Sequence, residues 1–133
     1  MTDAYRDHLD YSLNELLPMA RKSYHILIEE LQKDSIEFKL AEAFIPTGLK
    51  TTGVKGDQRV YGPFLAIAIH RHDGKLFLDY DFLRKVSNRI TNEVDGLVRV
   101  IYFLGSKNHK PGTSMYQSDY MFLPLTESGS PSI

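Results

Sequence analysis

The chain has 133 residues, 42% of them hydrophobic and 25% charged, which suits one compact domain with a modest core, and nothing suggests two. A net charge of −1 excludes a strong sequence-independent attraction to nucleic acid or to an anionic membrane surface, because either needs an excess of Lys and Arg. With no cysteine, the chain can form no disulfide, no thiolate metal site and no cysteine nucleophile.

Residues 1–11 are polar, with Asp3, Arg6, Asp7 and Asp10, and read as a flexible N-terminus with no signal-peptide character. Ser12 and Glu15 then form a capping box ahead of an apolar run. Leu16, Leu17, Ala20, Tyr24, Leu27, Ile28 and Leu31 follow at helical spacing and predict a helix with one buried face. Pro18 requires that this helix either start near Leu17 or kink. Asp34-Ser35 reads as the cap of a second, shorter helix in which Ile36, Leu40, Ala43 and Phe44 share a face, ended by Pro46 and Gly48.

Two strands are expected next, Leu49 to Lys55 and Val60 to His70, joined at a Gly56-Asp57 corner. Pro63 inside the second strand is unusual, because proline cannot donate to a ladder and favours an edge or a bulge. Asp73-Gly74 is a further turn. Asp79 or Asp81 can cap a helix carrying Leu83, Val86, Ile90 and Val94, and Asp95-Gly96 stops it. Val98 to Leu104 is a third strand and Ser114 to Leu123 a fourth; residues 125–133 have almost no apolar content and read as a disordered tail.

The order α-α-β-β-α-β-β over residues 12–124 predicts an α+β two-layer sandwich with helices on one face of a mainly antiparallel sheet. Tyr61, Leu65, Ile67, Ile69, Ile101 and Phe103 supply more apolar strand surface than one helical layer is expected to hide.

No segment approaches the about 20 apolar residues that span a bilayer, so no membrane association is expected and a cytoplasmic location is the default. Other chemistry is sparse. His70 and His72 stand two apart with no third ligand nearby, so no metal site is expected. There is no Ser-His-Asp arrangement, P-loop or dinucleotide loop, and no cofactor is implied. The layering also occurs in one class of KH domains, but the Gly-x-x-Gly loop is missing and the charge is unsuited to RNA.

Two blocks carry a resemblance. Gly56-Asp57-Gln58-Arg59-Val60-Tyr61 and Ser87-Asn88-Arg89-Ile90-Thr91-Asn92-Glu93-Val94, with Ile28-Glu29-Glu30-Leu31 before them and Arg99-Val100-Ile101-Tyr102 and Ser106-Lys107 after, resemble the C-terminal domain of glutamine-hydrolysing GMP synthase in the same order. The resemblance runs from about Leu13 to Gln117 and implies the same two-layer fold. It also implies homodimerisation, with Asp57, Arg59, Tyr61, Ile67 and Ile101 as hairpin and interface residues, and XMP contacts from Arg99, Lys107 and Thr113, cationic groups suiting phosphate.

The cysteine-dependent amidotransferase domain and the Ser-Gly-Gly-Val-Asp-Ser loop of the ATP-pyrophosphatase domain are both missing, so the chain alone is no complete GMP synthase. It also departs from the family on the ligand side. Ala68 replaces a usual arginine, the loop after the long strand shortens to His72-Asp73-Gly74-Lys75, and Met115 stands where the family tail has a nucleotide-contacting glutamate. Two expectations follow: a free-standing, partly degenerate domain acting as a homodimerisation module, or a subunit of a split GMP synthase whose catalytic partner is a separate chain.

Overall fold

The computed structural model describes residues 13–45, 51–55, 58–105 and 121–123, with the backbone alone at 13–14, 51–55, 58–61 and 121–123. The capping serine, Ser12, lies outside the described residues. Helix α1 runs Leu13–Lys33 and buries Leu16, Ala20, Tyr24, Leu27 and Leu31, the face that the spacing predicts. Pro18 sits within it, on an exposed position of the second turn. The helix therefore does not wait for Leu17 to begin: so near the N-terminus proline removes a single intrahelical hydrogen bond, to Asn14.

The predicted second helix does not exist. Asp34 and Ser35 end α1 instead of starting another element: Ser35 is left-handed (φ 55°), its N–H donates to the Gln32 carbonyl at 3.1 Å, and Ile36 N–H donates to the Leu31 carbonyl at 2.9 Å. That pair of bonds closes the last turn of a helix, and Ile36 packs back on the core as such a cap favours. The residues that follow form strand β1, Leu40–Ile45, in which Ala41 to Ile45 are all buried. A strand covered on both faces shows no two-residue alternation, and two alanines in six residues mimic a helical face.

Strands β2, Thr51–Lys55, and β3, Gln58–Gly62, pair as a hairpin of their own, with Thr51 opposite Gly62 and Lys55 opposite Gln58. The expected long strand from Val60 is thus divided at Pro63, and β4, Phe64–His70, belongs to a different sheet. Proline marks the division because it has no N–H to give; its carbonyl accepts from Val98 N–H at 3.1 Å. Gly62 allows this close approach, since a Cβ there would stand 3.1 Å from the Gly96 carbonyl oxygen.

A tight turn at Asp73-Gly74, with Gly74 at φ 86°, folds Leu76 back beside His70. Helix α2, Tyr80–Glu93, starts at Asp79, whose carboxylate accepts from Phe82 N–H at 3.0 Å, and buries Phe82, Val86 and Ile90. Gly96 (φ 98°) turns the chain after it. Strand β5, Arg99–Tyr102, then lies parallel to β4, and β6, Met121–Leu123, antiparallel to β1.

The main sheet has the order β5-β4-β1-β6, mixed but with two of its three pairings antiparallel. Both helices pack on one face, where Ala41, Ala43, Ile45, Leu65, Ile67 and Ile69 join the helical residues in one core. This is the α+β two-layer arrangement expected from the sequence, with two helices rather than three among the described residues.

Candidate functional site

Alternation along β4 and β5 assigns Ile67 and Ile101 to opposite faces. Ile67 points to the helices and is 1% exposed, so it is a core residue of the single chain. Ile101 points the other way. It lies opposite Ala66, which is itself opposite Phe44, and it remains 38% exposed, with Leu104 at 74% beyond it. Arg99 opens β5 opposite Phe64, with an exposed side chain that forms no ion pair among the described residues. Arg59 and Tyr61 are paired along the backbone with Val54 and Thr52 in the hairpin. Asp57, Lys107, Thr113 and Met115 lie outside the described residues.

The far face of the sheet is better covered than the sequence suggests. Phe64, Ala66 and Ala68 are buried, and Phe44 meets Phe103 edge-on with ring centroids 5.0 Å apart. The alanines at 66 and 68 leave space for that aromatic pair. Among the described residues, the large apolar side chain still open on this side is Ile101 on the β5 edge, and Leu104 is exposed just past the end of that strand. The same face holds a polar pair that the sequence reading missed: Glu42 Oε1 lies 2.7 Å from His70 Nε2, with the carboxylate side chain 1% exposed. A single glutamate in an apolar strand was the available signal. His70 therefore serves this pair, His72 is exposed on the loop, and no group of three metal-capable side chains occurs among the described residues.

Tyr102, on the helix side of β5, reaches across β4. Its hydroxyl accepts from Ile69 N–H at 3.0 Å and donates to the Phe77 carbonyl at 2.7 Å, tying the edge strand to the segment leading into α2. Burial pushes its pKa up, opposed by the hydrogen bond from Ile69.

The blocks that carried the resemblance meet in space. Arg89 of α2 lies against two adjacent glutamates of α1, bonding Glu30 at 2.7 Å and contacting Glu29, while its Nε donates to Glu93 at 2.8 Å. Lys85 adds Asp34 at 2.7 Å. Glu30 is almost wholly buried. Burial would raise its carboxyl pKa, but the hydrogen bond from Arg89 and the charges of Lys33 and Lys85 outweigh that and hold it below the usual range. The three carboxylates in turn push the Arg89 guanidinium pKa up, Glu93 most strongly. Lys22 completes the helix contact by donating to the Glu93 carbonyl at 2.8 Å. Thus Ile28-Glu29-Glu30-Leu31 and Ser87 to Val94 are two halves of one helix–helix contact, with Leu31, Val86 and Ile90 in the core beneath the charges.

Comparison with known proteins shows the family. The family described as the GMP synthase C terminal domain matches residues 29–115, a span that contains Glu29 to Leu31, Ser87 to Val94, the hairpin and β5. The chain belongs to this family. It is 43% identical over 101 residues to the GMP synthase [glutamine-hydrolyzing] of Candida glabrata, covering 70% of this chain and 19% of the relative. The corresponding enzyme of Thermosipho africanus is 39% identical over 100 residues, 71% of this chain and 20% of the relative. That of Helicobacter pylori strain J99 is 44% identical over 94 residues, 66% of this chain and 18% of the relative.

The chain thus spans about a fifth of the length of the curated relatives it matches. No described helix is long and apolar enough to cross a membrane.

Proposed function

We propose that this GMP synthase C-terminal domain acts as a homodimerisation module rather than as a catalyst in itself. What supports this reading is the placement of Ile101 and Leu104. Ile101 stays 38% exposed at the β5 edge, on the face where Phe64, Ala66 and Ala68 are buried, and Leu104, 74% exposed, follows just past the end of the strand. Exposed apolar side chains grouped on an edge strand favour association, and a two-fold contact lets one patch cover its own copy. Sedimentation velocity at tens of micromolar tests it: a dimer is expected, and Ile101→Asp gives a folded monomer with less than about 0.5 kcal/mol change in stability, because the site is half open in the single chain. A strict monomer for the unmodified protein overturns the reading.

A second reading, a subunit or piece of a GMP synthase that contributes to XMP binding beside separate catalytic domains, is favoured by Arg99. An exposed arginine without an ion-pair partner among the described residues is available to a phosphate. Calorimetry with XMP separates the two readings.

A further inference from the structure

We draw no further inference here: the strongest candidate, the open groove between the end of α1 and the start of α2 where Asp34, Asp79 and Asp81 stand beside Phe77, Phe82 and Lys85, is an acidic cluster whose Asp34 is paired with Lys85 and whose Asp79 caps α2, and nothing in the structure points to what would occupy it.

Discussion

The two faces of the sheet are built from the same strands on different terms. Towards the helices, β1 and β4 present Ala41, Ala43, Ile45, Leu65, Ile67 and Ile69, a dry layer continuous with Leu27, Leu31, Val86 and Ile90. On the other side the same strands present Glu42, Phe44, Ala66, Ala68 and His70, a mixture of small, aromatic and ionisable groups that ends in the exposed Ile101. The first face has the composition of a surface closed once and for all by folding. The second carries a buried carboxylate and an open apolar edge, features that cost stability in an isolated domain.

The contrast is broken most severely from the helical side. Ile67→Asp places a charge in the middle of the closed layer, where an unpaired carboxylate has no water and no partner, and should cost more than about 4 kcal/mol. Since domains of this kind are stable by about 5–15 kcal/mol, most of the folded population would be at risk. Urea unfolding followed by circular dichroism checks it. If Ile67→Asp stayed folded and altered only the sedimentation coefficient, Ile67 would be an interface residue, as its place in the family pattern had implied, and the assignment of faces would be reversed.

An intermediate effect is expected at the polar pair. His70→Ala removes the imidazole that lies 2.7 Å from the buried Glu42 carboxylate, and about 1–3 kcal/mol of stability should go with it. His70→Gln retains an amide donor and should recover part of the loss. A urea midpoint unchanged in both variants would mean that the pair contributes nothing net.

The fold was readable wherever one physical rule acted alone. The apolar stripe of α1, the Asp79 cap and the Asp73-Gly74 turn are local signals, and the structure follows them. β1 was misread because burial on both faces erases the alternation that identifies a strand, and because Asp34-Ser35 suits the end of a helix as well as its beginning. Pro63 was noticed as an irregularity, but that it separates two sheets depends on a partner, Val98, over thirty residues away. For the candidate site, the family blocks were legible while their mutual contact was not: nothing in the spacing of Glu29, Glu30 and Arg89 says that two distant helices bring them together. Ile67 and Ile101 look alike in sequence, and only register places them on opposite faces.

That helix contact sharpens the comparison through pH. Glu30 is held below the usual carboxyl pKa in the folded chain, so it binds fewer protons there than when unfolded. Its contribution is therefore fully present above its unfolded value of 4.5 and is lost as the pH falls through the lower, folded value. Unfolding free energy measured from pH 7 down to pH 3 should fall more steeply in the unmodified protein than in Glu30→Gln, so that the advantage of the unmodified protein at pH 7 shrinks and the two curves converge in the acid range. Parallel curves would mean that Arg89, Lys33 and Lys85 do not stabilise the ionised form. The sheet's far face should not respond to Glu30→Gln: sedimentation velocity at pH 7 should give the same result for the variant and the unmodified protein.

The smallest expected effect is nucleotide binding by the isolated domain, and it bears on whether the β5 edge is a docking surface or a ligand site. Arg99 is an exposed cation at the head of β5. A contact of that kind contributes roughly 1 kcal/mol or less, whereas a micromolar complex needs about 8 kcal/mol. Base and ribose contacts would have to supply the difference, yet the apolar neighbours Ile101 and Leu104 offer no hydrogen bonds to a purine. Met115, where the family pattern has a glutamate, has a thioether in place of a carboxylate acceptor. XMP should accordingly bind the isolated protein no tighter than millimolar, and hardly better than free phosphate. Calorimetry with XMP, GMP and inorganic phosphate in parallel makes the measurement, and Arg99→Ala with Lys107→Ala supplies the control. A micromolar affinity for XMP that vanishes in either variant would mean that a working nucleotide site survives on this domain, and the reading as part of a GMP synthase ligand site would then displace the dimerisation module.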